Sequence, residues 1–451
     1  MTPATGRILG SIIVIGAVVA AGAASYVRGP GPLAFAGGST VALPDYKSAN
    51  PTGAPASMAQ ASLVERGEYL ARAADCMVCH TAPGAKEYTG GFAFKLPFGT
   101  LYSTNITPDK DTGIGNYTDQ QFLDAVQRGK RHDGARLYPA MPYTSYTYMT
   151  DADALAVKAY LFSLAPVRAA SPANSLAFPF NQRWAMIFWS AVFNPDTRFA
   201  PDTSKSPKWN RGAYLVEALA HCGECHTPRN IGFALDNRKK FGGALTAGWR
   251  AFNISSDKNA GLGDWSDDDV AAYLAVGYAR GHGTASGPMG EAVDHSFSKL
   301  APEDIRAMVA FLRTVPPMPS PELPATRAAV ASASHREGGD INNARGKLVF
   351  QGACAGCHGW SGESAISPMA TLTGAWAVND PAATNVAQIV ISGTVRHTPK
   401  GALSMPAFGN SHSDVEIAAV ANYVAARFGS KESQISAGDV EELRQQTAQR
   451  P

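Results

Sequence analysis

Three stretches of the chain repeat one pattern of hydrophobic and polar positions. Each opens on a short signature: Arg66-Gly67-Glu68-Tyr69-Leu70, Arg211-Gly212-Ala213-Tyr214-Leu215 and Arg345-Gly346-Lys347-Leu348-Val349. Each closes on a run with apolar residues at i, i+3 and i+4 around an aromatic: Ala159-Tyr160-Leu161, Ala310-Phe311-Leu312 and Asn422-Tyr423-Val424. That spacing predicts helices with one apolar face. Pro302 in a first turn, and Ser413 with Glu416 three later as a capping box, mark helix starts. The glycine of each opening helix lets the aromatic of the closing helix approach its backbone, so two crossed helices are expected per repeat.

Between the helices the first two repeats share a block. Asn105-Ile106-Thr107-Pro108-Asp109 with Gly113-Ile114-Gly115 matches Asn253-Ile254-Ser255-Ser256-Asp257 with Gly261-Leu262-Gly263, and a capped helix follows from Thr118 and from Ser266. The third repeat lacks the block, so the first two read as a duplicated pair with a shorter unit appended. Ahead of them, residues 8–27 form a low-polarity run of 20 residues between Arg7 and Arg28. Such a run spans a hydrocarbon core of about 30 Å. It is expected to be a retained N-terminal transmembrane anchor with Arg7 inside. Small-residue stretches at 21–25 and 34–36 keep a cleaved signal peptide as the alternative.

The expected layout is therefore an anchor at 1–28, a linker at 29–60, a first domain at 61–165 and a connector at 166–207. A second domain at 208–316, a linker at 317–338, a third domain at 339–429 and a polar tail at 430–451 complete it. The connector is rich in aromatics (Phe178, Phe180, Trp184, Phe188, Trp189, Phe193) and is expected to pack across the first two domains.

The cysteines give this pattern its chemistry. All six fall in pairs, Cys76 and Cys79, Cys222 and Cys225, Cys354 and Cys357, and each pair runs directly into a histidine, His80, His226 or His358. C-x-x-C-H is the attachment signal for c-type haem. The two thiols add to the haem vinyl groups, and the histidine that follows becomes the proximal iron ligand. No cysteine is left for a disulfide or a four-thiolate cluster. Three covalently attached haem c groups are expected. The fold class expected is mainly α: three tandem class I cytochrome c domains after one N-terminal transmembrane helix. Haem attachment of this kind takes place outside the bacterial cytoplasm, so the haem domains are expected in the periplasm, tethered to the cytoplasmic (inner) membrane.

The sixth ligand decides between electron transfer and catalysis, since a methionine closes the site and raises the potential. One methionine per repeat sits beside a proline, roughly ten residues before the closing helix: Met141 in Tyr138-Pro139-Ala140-Met141-Pro142, Met289 in Gly287-Pro288-Met289-Gly290, and Met405 in Ser404-Met405-Pro406. Met149, Met308, Met318 and Met369 are placed less well. For the second haem, His282 and His295 flank Met289 and leave bis-histidine ligation open. No residue is expected to be catalytic. A formal charge of +2 argues against nucleic acid as a partner, and no glycine-rich dinucleotide fingerprint follows a strand.

The Tyr-Leu openings before each Cys-x-x-Cys-His-Thr, the Ser103-Thr104-Asn105-Ile106-Thr107-Pro108-Asp109 block, the Met141 loop and Met405-Pro406-Ala407-Phe408 together resemble the tri-haem cytochrome c subunits of membrane-bound periplasmic dehydrogenases. The resemblance runs from about 60 to 430. It implies a separate catalytic subunit that oxidises the substrate, with the cytochrome passing electrons to ubiquinone in the cytoplasmic membrane. The family's axial positions fall on His80, Met141, His226, Met289, His358 and Met405. Partners of this kind include pyrroloquinoline-quinone alcohol dehydrogenases, flavin gluconate, sorbitol and fructose dehydrogenases, and molybdenum aldehyde dehydrogenases. A retained anchor favours the aldehyde dehydrogenase branch. A c-type subunit of a terminal oxidase and a multi-haem enzyme are the competing readings.

Overall fold

The computed structural model describes residues 3–31, 33–34, 39–42, 55–320, 343–398, 401–430 and 432–446. Much of the linkers expected at 29–60 and 317–338, and the end of the polar tail, lie outside the described residues. The helices that frame the sites are α1 (Pro3–Arg28), α2 (Leu63–Ala73), α3 (Asp119–Arg128), α4 (Asp151–Ser163), α5 (Met186–Phe193), α6 (Pro207–Tyr214), α7 (Asp267–Val276), α8 (Gly287–His295), α9 (Pro302–Leu312), α10 (Ala344–Val349), α11 (Thr384–Ser392), α12 (Asp414–Phe428) and α13 (Ala437–Gln446).

In each repeat the opening helix crosses the closing one at its glycine. A Cβ on Gly67 would strike the Ala156 carbonyl, one on Gly212 the Ala307 carbonyl, and one on Gly346 the Ala419 carbonyl. Capping chemistry fixes where these helices begin. Ser62 with Glu65, Thr118 with Gln121 and Ser413 with Glu416 form capping boxes. The first two repeats share one continuous apolar core, which takes in Leu70, Tyr146, Phe199, Tyr214 and Phe311. The third has its own, around Phe350, Ile417, Tyr423 and Phe428.

The fold is not mainly α as expected, because five small antiparallel sheets occur among the described residues. β1 (Ser39–Ala42) pairs with β5 (Thr197–Ala200), and β2 (Ala93–Leu96), β3 (Gly99–Tyr102) and β4 (Ser175–Leu176) form a three-stranded sheet. β6 (Ala244–Thr246) pairs with β7 (Trp249–Ala251), β8 (Tyr278–Ala279) with β9 (Gly283–Thr284), and β10 (Thr394–Thr398) with β11 (Gly401–Met405). Apart from β1, β4 and β5, these strands form hairpins that carry the chain between a Cys-x-x-Cys-His motif and its closing helix, segments too short in periodic residues to announce themselves.

The transmembrane anchor is also corrected. Among the described residues no helix is long and apolar enough to cross a membrane, so the expected single N-terminal anchor in the cytoplasmic membrane does not stand. The second half of the run is mostly glycine, alanine and serine, and the end of α1 is held by polar bonds to the second repeat. Asn230 Nδ2 donates to the Val27 carbonyl at 3.0 Å, Arg238 Nη1 to that of Tyr26 at 2.7 Å, and the Arg238 guanidinium lies over the Tyr26 ring. Beyond it Leu33 is buried and β1 is paired.

The first two repeats lock together reciprocally. Tyr69, from the first opening helix, donates to Asp304 Oδ2 at 2.7 Å and accepts from the Ala301 amide at 3.0 Å. Tyr214, from the second, donates to Asp153 Oδ2 at 2.8 Å and accepts from the Thr150 amide at 3.1 Å. Each tyrosine thus caps the first turn of the other repeat's closing helix. Each aspartate is held in addition by its own repeat's opening arginine, Arg66 on Asp153 and Arg211 on Asp304. Burial and the facing carboxylates raise both phenols far above their ordinary range, so they stay protonated donors. The third repeat has exposed Leu348 in place of the tyrosine and joins by another route. Asn385 exchanges hydrogen bonds with the Arg250 backbone, Arg250 pairs with buried Asp380 at 3.0 Å, and the Trp376 amide donates to the His282 carbonyl. The connector bridges the first pair as expected. Phe180 stacks on Phe98 and meets Phe233, and Trp189 Nε1 donates to the Gly232 carbonyl, while Phe178, Trp184 and Phe188 face outward.

Tyr69→Phe and Tyr214→Phe each remove one hydrogen bond to a buried carboxylate and uncap a helix. Each is expected to cost about 1.5–3 kcal/mol in chemical denaturation, whereas Leu348→Tyr in the third repeat leaves stability unchanged.

Candidate haem attachment sites

Each C-x-x-C-H motif begins on or just before one helical turn: Cys76–Cys79, Gly223–His226 and Ala355–His358. Helical spacing brings positions i, i+3 and i+4 to one side, so both thiols and the imidazole of a motif face the same space. The His80 amide closes the first turn on the Cys76 carbonyl at 3.1 Å, and His226 closes the second on Cys222 at 3.0 Å. No disulfide links any of the six cysteines. Burial pushes the thiols of Cys76 and Cys222 up to about 12 and that of Cys354 up to about 11.

The three histidines share one further feature. His80 Nδ1 lies 2.7 Å from the Thr104 carbonyl, His226 Nδ1 2.6 Å from that of Phe252, and His358 Nδ1 2.6 Å from that of Ala370. A carbonyl only accepts, so Nδ1 carries the proton and Nε2 is left as a bare lone pair, the tautomer an iron ligand needs. Burial lowers the pKa of His80 and His226, which keeps them neutral. Sequence reasoning missed the carbonyl holders, although the signal was there. Thr104 and Phe252 stand immediately before Asn105 and Asn253 of the shared block. Asn105 Oδ1 accepts from the Thr107 amide and Asn253 Oδ1 from the Ser255 amide, both at 2.9 Å, which pins the loop that presents the carbonyl.

The first two attachment loops abut. Tyr146 Oη donates to the Ala74 carbonyl at 2.6 Å, just before the first motif, and its ring meets His221 edge-on, just before the second. Glu224, inside the second motif, accepts from Ser145 at 3.1 Å and pairs with Arg229 at 2.7 Å.

Comparison with known proteins gives this geometry its context. Residues 64–165 match the cytochrome c family, and residues 342–424 match the family described as cytochrome c oxidase, cbb3-type, subunit III. The fructose dehydrogenase cytochrome subunit of Gluconobacter japonicus is 38% identical over 421 residues, 88% of this chain and 85% of the relative. The gluconate 2-dehydrogenase cytochrome c subunit of Pantoea cypripedii is 38% identical over 402 residues, 85% of this chain and 90% of the relative. The chain belongs to the cytochrome c subunits of dehydrogenase complexes. A nicotinate dehydrogenase chain of Pseudomonas putida is also similar, 39% identical over 374 residues, but this chain spans only 30% of that protein's length.

Two family segments are found in this cytochrome subunit, so the expectation of three tandem class I cytochrome c domains is not met. The middle repeat departs from the pattern in its details. Its candidate methionine stands in a helix, although the wide turn that ends its opening helix at Leu215–Leu219 recurs in the third repeat at Phe350–Cys354. The cytochrome subunit fits covalent haem c on an observation of its own. Trp265 Nε1 and Trp376 Nε1 are buried donors without an acceptor, and their rings meet at 5.0 Å beside Phe252, the residue that holds His226. Buried indole donors left open next to the motif histidine suit a planar group that carries acidic side arms.

Of the three candidate methionines, one stands in a loop, one in a helix and one in a strand. Met141 sits in a turn whose amide bonds the Tyr138 carbonyl at 3.1 Å. Met289 lies in the first turn of α8 and Met405 ends β11. All three are half-buried against the cores. Met149 and Met308 are wholly buried core residues. Met149→Ala and Met308→Ala are therefore expected to lower stability by about 2–5 kcal/mol in denaturant titrations, while the visible spectrum of the native protein stays as it was.

Proposed function

We propose that this chain is an electron relay carrying three covalently attached c-type haems, which takes electrons from a separate catalytic dehydrogenase subunit and delivers them to ubiquinone. The observation that carries the reading is the threefold recurrence of a Cys-x-x-Cys-His turn with its histidine Nδ1 bonded to a backbone carbonyl. A haem iron supplies one-electron oxidation and reduction. The chain's residues hold it covalently through Cys76, Cys79, Cys222, Cys225, Cys354 and Cys357, and orient His80, His226 and His358 as proximal ligands. Met141, Met289 and Met405 are proposed to close the opposite faces, which leaves no position for a substrate and makes the subunit non-catalytic.

Met289 is preferred to the flanking histidines for the second site. The His282 ring is stacked on Trp265 at 3.7 Å and faces Asp269, and His295 lies with Asp294 and Lys299 beside a cleft at the first motif. The aldehyde dehydrogenase branch rests on a retained anchor alone and loses that support. Relatives matched over most of their length include the cytochrome subunits of fructose, gluconate and alcohol dehydrogenases, so the partner proposed oxidises a hydroxyl-bearing small molecule. The oxidase-subunit match is confined to residues 342–424.

The full chain is expected to give three haems per polypeptide by pyridine haemochrome assay, low-spin in both redox states. Met141→Ala, Met289→Ala and Met405→Ala should each remove one methionine–iron charge-transfer contribution. A different stoichiometry, or ready carbon monoxide binding to the native reduced protein, contradicts the reading.

A further inference from the structure

Arg396 lies on β10, yet its side chain is buried almost completely, with 2% exposed. Its guanidinium points out of the third repeat into the second. Nη1 donates to the Gly290 carbonyl at 2.6 Å and Nη2 to that of Val276 at 3.4 Å, and Nη2 pairs with Asp294 at 3.0 Å. The group presses on Gly277, the left-handed residue that ends α7, where any Cβ would collide with it. A buried arginine stays charged, and a chain rarely carries such a cation into a core without a positional reason.

The elements it joins are the two that present candidate iron ligands. Gly290 directly follows Met289, and Asp294 lies one turn further along α8. In the hairpin, Arg396 pairs with Leu403 and Thr394 with Met405. One guanidinium fork thus ties the Met289 helix to β10, the strand paired with the Met405 strand, across the junction of two repeats.

We propose that Arg396 is a positioning residue that holds the Met289 helix and the Met405 hairpin as one unit and thereby sets the potentials of the second and third haem centres together. The proposal rests on the ligand reading above. Two effects act in the same direction. The fork keeps both sulfur-bearing segments in register, and its positive charge in a low-dielectric junction favours the reduced, less positive irons. Its loss also leaves the Asp294 carboxylate without its guanidinium partner, which favours the oxidised state further.

The test uses the haem-loaded full chain with Arg396→Gln and Arg396→Lys, followed by spectroelectrochemical titration and by the methionine–iron charge-transfer absorbance on slow warming. Arg396→Gln is expected to lower two of the three potentials and leave one unmoved, and to lose two charge-transfer contributions together at a lower temperature than the remaining one. Arg396→Lys keeps the charge but not the fork. It should restore most of the potential shift while the two contributions are still lost early, a separation that a merely structural role does not produce. If Arg396→Gln cannot be obtained loaded, joint early loss in Arg396→Lys decides alone. One potential moving, all three moving equally, or the two contributions fading separately overturns the proposal. Met289→Ala and Met405→Ala are run beside them. If either keeps all contributions, the ligand assignment itself has failed, whereas intact assignments with unmoved Arg396 potentials refute only the coupling.

Discussion

Each repeat depends on the contact between a glycine and the carbonyl opposite it. Gly67, Gly212 and Gly346 let the opening helices lie directly on the backbones of the closing helices, a separation that no larger residue permits. The cysteine–histidine motif starts eight to ten residues after that glycine, at the end of the same opening segment, so the crossing fixes the turn relative to the closing helix and its core. The carbonyl that holds the motif histidine comes from the chain that follows the motif, at Thr104, Phe252 or Ala370. Glycine contact, attachment turn and histidine carbonyl together define the site in all three repeats.

The same constraint explains why the first two repeats behave as one body. Their opening helices carry a tyrosine three residues after the arginine, and each tyrosine reaches across to the first turn of the other's closing helix. The contact is self-complementary, as in a symmetric dimer fused into one chain. It brings the first and second attachment loops together at Tyr146 and His221. The third repeat, without the tyrosine, docks through Arg250, Asp380 and Asn385 and through an aromatic cluster of Phe252, Trp265 and Trp376.

Much of this was legible in the sequence, for identifiable reasons. Covalent attachment needs fixed spacing, so the cysteines and histidines announce themselves, and helical periodicity gave the crossed pairs around Gly67, Gly212 and Gly346. The histidine carbonyls were not legible as such, because a backbone atom leaves no residue signature; only the position of Thr104 and Phe252 before a shared asparagine betrayed them. The small hairpins are too short for periodicity to show. The apolar run at 8–27 has the length of a membrane span, yet its alanine and glycine content and its polar tether at Tyr26 and Val27 do not show in a count of apolar residues. Arg396 was invisible for the opposite reason, since a charged residue on a short strand reads as surface until its partners are known.

The central claim is a relay whose three irons are each closed by histidine and methionine. Near-infrared magnetic circular dichroism of the oxidised full chain addresses it directly, because the position of the low-spin charge-transfer band reports the axial pair. The account predicts intensity equivalent to three haems, all at the histidine–methionine position. A bis-histidine component, or a high-spin signal from any one haem, would contradict it.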